Sequence, residues 1–249
     1  MATANPAMSE AVYQRAGLAE TPTQVMTLQG AVLKTAILVV ILMVTAAYIW
    51  SQAAAGNTSL AYSLLIAGSI GGFITALVTI FIPKVSPFTA PIYAALEGLV
   101  LGAISAVFET MYPGIVFQAV SLTIGVLAVM LFVYGTGIIR ATEKFKIGVI
   151  AATGAICLVY LVDIVVSLFG KHLPYIHESG PVGIGFSLVV VVIAALNLIL
   201  DFDFIEQGVK QQAPKYMEWY CGFSLLVTLV WMYLEILRLL AKLKGNSRD

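Results

Sequence analysis

Seven runs of about 20 predominantly apolar residues, near 31–51, 62–82, 91–109, 115–139, 147–169, 182–204 and 219–241, follow one another without overlap. Each is long enough to cross ~30 Å of hydrocarbon as a helix. Backbone amides facing lipid are satisfied only within a helix or a closed barrel. Charge content agrees: 10% of the 249 residues are Asp, Glu, Lys or Arg, against roughly a quarter in a soluble domain. The pattern predicts an all-α polytopic membrane protein, a seven-transmembrane-helix bundle over 31–241. It leaves a polar N-terminal tail over 1–30 and a short polar C-terminal tail over 242–249. All nine prolines are expected in the tail, in connections or at the first turn of a span, where a missing N–H removes no helical bond.

Residues 1–30 show no basic segment followed by an apolar stretch and a small-residue cleavage site, so no removable signal peptide is expected. The formal net charge is zero and the basic residues are scattered, which excludes nucleic acid as the expected partner and leaves the lipid bilayer. Cys157 and Cys221 read as small apolar fillers rather than a disulfide or metal pair. Lys and Arg alternate between ends: Arg15 and Lys34 in and next to the N-terminal tail, Lys84 after the second span, and Arg140, Lys144 and Lys146 after the fourth. The positive-inside rule then puts the N-terminus in the cytoplasm. Arg238, Lys242, Lys244 and Arg248 break the alternation. Either the early spans dominate topology or the last apolar segment is re-entrant, and seven crossings is the reading adopted.

Ionisable side chains inside spans are rare, costly and functional candidates by default. Glu97 lies in YAALEGLVLG of the third span, as either an ion or proton ligand or a hydrogen-bond partner. Asp163 stands near the end of the fifth span, where reaching the interface is its bland reading. Glu235 lies deep in the last span with Arg238 three residues on, the spacing of a local ion pair. The richest stretch is NLILDFDFIE, Asn197–Glu206. On a helix Asn197 and Asp201 share a face and Asp203 turns to the opposite side. Asp201 with Asn197 is therefore expected to face inward, and Asp203 with Glu206 to lie nearer water. Glu218 opens the last span on the same side, and Lys84 ends the second span there. Carboxylates that share a site couple their protonation and bind hard cations through oxygen. The cluster of Asp201 and Glu218 thus has the chemistry of a pH-sensitive Ca²⁺ or proton site, and a latch between Lys84 and Asp201 is geometrically possible.

At these residues the chain resembles the Bax inhibitor (transmembrane BAX inhibitor motif) family, in a bacterial-type branch. The likeness is carried by SPFTAPIYAALEGLVLGAIS in the third span, by NLILDFDFIE ending the sixth, by the aromatic, leucine-rich last span and by the tail NPAMSEAVYQRA. The resemblance implies a central last helix wrapped by six others, and a pH-dependent Ca²⁺ leak of the bacterial inner membrane. Its gate is implied to be an acid on each of the last two spans with a basic latch on the second. Asp201 matches the acid of the sixth span. The aromatic-x-acid element of the seventh is offered twice, as Tyr216-Met217-Glu218 and as Tyr233-Leu234-Glu235, and depth along the helix favours Glu218. The family's latch is an arginine, whereas Lys84 supplies a point charge.

Competing chemistries lack their residues. An intramembrane aspartyl dyad would need a Tyr-Asp with a Gly-x-Gly-Asp arrangement. A retinal protein would need a lysine within the last span, where only Lys242 lies beyond the predicted end. His172 and His177 sit in a loop as KHLPYIH, at a spacing that suits solvated residues better than metal ligands. No enzymatic activity and no cofactor are expected. The alternative is a non-conducting integral-membrane regulator that binds other membrane proteins, such as a protease or a stress-response complex.

Overall fold

The computed structural model describes residues 25–169 and 180–246. The expected tail over 1–24, the loop with His172 and His177, and residues 247–249 lie outside the described residues. Seven helices follow in chain order: α1 (Leu28–Ala54), α2 (Thr58–Phe81), α3 (Ser86–Met111), α4 (Ile115–Gly135), α5 (Glu143–Leu168), α6 (Pro181–Lys210) and α7 (Met217–Asn246). A 3₁₀ turn, Pro83–Val85, joins α2 to α3. All seven are long and apolar enough to cross a membrane. Among the described residues there is no strand, only an isolated antiparallel bridge between Val25 and Pro214.

Helix boundaries depart from the expectation where charge, rather than helicity, changes. α6 continues nine residues past Asp201, through DFDFIEQGVK to Lys210. The acidic stretch is therefore helix interior, and the macrodipole at the α6 C-terminus meets Lys210 instead of Asp201. α7 is one unbroken helix of 30 residues, long and apolar enough to cross a membrane, and residues 242–246 belong to it. It is also the most enclosed of the seven, with 61% of its membrane-length apolar stretch buried, against 11–17% for α1, α2, α4 and α5. One proline breaks the expected rule. α3 begins at Ser86, so Pro91 is its sixth residue rather than part of its first turn. The N–H that it lacks would have met the Pro87 carbonyl.

The chain divides into two compact units. Among the described residues one takes 25–111 and 203–227, the other 112–202 and 228–246. In the first, α3 packs against both α1 and α2. Small residues set that approach: a Cβ on Gly102 would overlap the Ala46 carbonyl, and one on Gly98 would overlap Thr45 and the Leu42 carbonyl. The second unit holds α4, α5, most of α6 and the C-terminal part of α7. Large side chains such as Phe73, Phe117, Phe132 and Leu158 stay exposed along the helices, as suits a surface that faces lipid.

Candidate functional site

In the unit of residues 25–111 and 203–227, Glu218 is 1% exposed, with its Oε1 engaged. Its Oε1 accepts from the Thr27 backbone N–H and from the Thr27 hydroxyl, each at 3.0 Å. That hydroxyl in turn accepts from the Gly30 N–H at 2.9 Å and so caps α1. The carboxylate thus lies at the N-terminal end of α1 and in the first turn of α7, where two sets of unsatisfied N–H groups favour an anion. Lys215 adds a charge at 3.8 Å. Gly30 makes room, since a Cβ there would overlap the carboxylate. The same corner is closed by the Met26 N–H donating to the Ala213 carbonyl and by Ser86 Oγ donating to the Tyr216 carbonyl. Lys34 stands over the Trp219 ring, 5.0 Å from its centre.

The other candidates of this unit are less constrained. Glu97 lies against Gly72, with the Tyr93 hydroxyl one turn back facing it. Tyr93 also packs edge-on to Phe223. Lys84 is exposed in the 3₁₀ turn, with no ion pair among the described residues. Asp203 is half-buried and has a partner, and Glu206 pairs with Lys210 one turn on.

In the unit of residues 112–202 and 228–246, Asp201 is 1% exposed. The Thr228 hydroxyl of α7 faces it, yet neither carboxylate oxygen meets a donor at full hydrogen-bond geometry. One turn back, Asn197 donates to the Thr153 hydroxyl of α5 and to the Ile193 carbonyl, both at 2.8 Å. Glu235, also 1% exposed, accepts at Oε1 from the Tyr160 hydroxyl (2.8 Å) and from Arg238 (2.7 Å), while its Oε2 has no partner. Arg238 lies over the Tyr160 ring as well. Lys242, expected beyond the last span, is instead inside α7 and buried, donating to the Gly183 carbonyl at 3.0 Å and to Ser187 Oγ at 2.8 Å.

These contacts fix a register. Thr228 meets Asp201 and Lys242 meets Ser187, fourteen residues apart on both α7 and α6, so the two helices run antiparallel and in step. At ~1.5 Å per residue the interval is about 21 Å. The same register sets Glu235 opposite Ala194, a fully buried small residue. Thr228, Glu235 and Lys242 recur at seven-residue spacing, as do Thr153 and Tyr160 on α5, which keeps each set on one helix face. The result is a seam of buried polar groups along α5, α6 and α7.

The structure therefore brings Asp201, Asn197, Glu235 and Arg238 into one unit and places Glu218, Glu97, Asp203 and Lys84 in the other. Tyr160, Thr153, Thr228, Ser187 and Lys242 escaped the sequence reading, although the seven-residue polar spacing on α7 was there to be read. Among the described residues no group of three or more His, Cys, Asp and Glu side chains is gathered for a metal ion.

A sequence model of the family described as Bax inhibitor 1 like matches residues 5–245, nearly the whole chain. No curated protein and no solved structure matches it.

Proposed function

Because this chain belongs to the Bax inhibitor 1-like family, we propose that it is a pH-sensitive Ca²⁺ leak of the membrane that it spans, and not an enzyme. The observation that carries this reading is Asp201, a carboxylate enclosed within a membrane-spanning helix, which the Thr228 hydroxyl faces but whose two oxygens meet no donor at full hydrogen-bond geometry. An acid with unmet lone pairs in a low-dielectric interior must be satisfied by a proton or by a cation. Protons and Ca²⁺ then compete for the same oxygens, which makes passage depend on pH. Glu235, with its unmatched Oε2 in the same unit, is the second acid of the path. Glu218 serves the fold, since its oxygen is committed to Thr27. Lys84, exposed, is the basic latch of the closed state.

The membrane proposed is the bacterial inner membrane, with the N-terminus in the cytoplasm. The C-terminal charges fit this orientation better than their number suggests. Arg238 is bound to Glu235 and Lys242 is buried against α6, so neither acts as a free charge of the flanking tail.

The test is Ca²⁺ entry into vesicles loaded with a Ca²⁺-sensitive dye and holding the purified full chain. Entry above protein-free vesicles, suppressed in Asp201→Asn, is expected. No entry from folded protein would leave the non-conducting regulator of other membrane proteins as the reading.

A further inference from the structure

Glu97 is a membrane-level acid to which the proposed leak gives no role. It stands eleven residues beyond Ser86, about 16 Å along α3 and so near the middle of a ~30 Å hydrocarbon layer. α3 is closely packed on both sides at this level. A Cβ on Gly68 of α2 would come within 2.8 Å of the Leu96 carbonyl, and one on Gly98 would overlap Thr45 and the Leu42 carbonyl of α1. The wedge opposes any rotation of α3 that would turn the carboxylate out to water. Its Oε2 would lie 3.5 Å from a Cβ on Gly72, in ordinary contact, so the carboxylate rests on α2 rather than facing a chamber.

Among the described residues, the helices around Glu97 bring it no counter-charge. α2 has no Asp, Glu, Lys or Arg over Thr58–Phe81, and α1 has only Lys34, which stands over the Trp219 ring. Glu109, the other acid of α3, is twelve residues further on, ~18 Å along the helix. On the α6 and α7 segments of this unit, Glu206 pairs with Lys210, Asp203 has a partner, Glu218 is bound to Thr27, and Tyr220 is buried beside Phe223. The titratable group that faces Glu97 is Tyr93, whose ring packs edge-on to Phe223 with centres 4.9 Å apart. A carboxylate enclosed by apolar side chains and one hydroxyl, with no cation beside it, is neutralised by a proton. A proton also needs no room.

We propose that Glu97 is a proton-binding site of this unit, a carboxylic acid that forms and discharges inside the membrane, with the Tyr93 hydroxyl as its positioning partner. The site is separate from Asp201 and does not depend on the passage of Ca²⁺. One hydroxyl serves both states of the acid: it donates to the carboxylate, and its oxygen accepts from the carboxylic acid once the proton is bound. Phe223 holds the Tyr93 ring in place for either.

The experiment treats the full chain in lipid vesicles with dicyclohexylcarbodiimide, an apolar reagent that enters hydrocarbon and reacts with protonated carboxyl groups. The acid gives its proton to a carbodiimide nitrogen, its oxygen adds to the central carbon, and without an amine present the acyl group migrates to nitrogen as a stable N-acylurea. Digestion and mass spectrometry then read the adduct at each acid separately. Between about pH 5 and about pH 8 an adduct on Glu97 is expected, its yield falling as the pH rises and the acid discharges. Tyr93→Phe removes the hydroxyl that stabilises the carboxylate and is expected to carry the labelling to higher pH. No adduct on Glu97 at any pH, or one whose yield does not change with pH, overturns the proton site. A Tyr93→Phe profile that superimposes on the parent's overturns the role given to Tyr93. The parent profile alone decides the site, so the result does not hang on a variant that folds. Ca²⁺ entry is measured on untreated protein, and the leak reading stands or falls separately.

Discussion

Glu218 and Asp201 are each 1% exposed, yet their surroundings differ in kind. Glu218 has two donors from Thr27 and two helix N-termini around it, so its charge is part of what holds α1 to α7. Glu218→Gln should remove a charge-assisted acceptor and cost ~1–3 kcal/mol. Thermal unfolding in detergent would show a midpoint several degrees lower; an unchanged midpoint would contradict the capping role. Glu235 is intermediate, with one oxygen bound and one free. Tyr160→Phe deletes one of its two donors and leaves Arg238, so the expected loss is about 1 kcal/mol, smaller than for Glu218→Gln, in the same assay. None of these partners could be read from sequence alone. Thr27 is 191 positions from Glu218, and Tyr160 is 75 from Glu235. Only the pair Glu235 and Arg238, three apart on one helix, was local enough to predict.

At the scale of elements, all seven spans were legible because length and hydropathy are properties of a contiguous stretch. Their ends were not. A window of apolar residues stops at the first charges, whereas a helix continues as long as its backbone bonds do. α6 therefore runs past Asp201 to Lys210, supported by the Glu206–Lys210 pair. The same effect hid Lys242, one residue past the apolar window yet inside α7. The small residues Gly98 and Gly102 of α3 meet α1 at close range. Gly102→Val should force Ala46 away and cost ~1–3 kcal/mol or more. The yield of monodisperse protein after extraction measures this, and wild-type yield and midpoint would argue against close α1–α3 contact.

At the scale of the whole molecule, membership of the Bax inhibitor 1-like family and seven membrane-length helices make this an integral multi-pass protein. The account of its activity depends on buried acids that the fold leaves incompletely satisfied. A membrane protein gains little in stability from an enclosed carboxylate that no donor meets at full hydrogen-bond geometry. Asp201 is therefore the residue on which the proposed activity is most directly tested. The most direct test is the pH profile of Ca²⁺ entry between about pH 5 and about pH 8, for the parent and Asp201→Asn in identical vesicles. The account predicts flux that falls as protons displace Ca²⁺ in the parent, and a weak, flat profile in the variant, which has no carboxylate to titrate. Superimposable profiles from two equally folded proteins would contradict it.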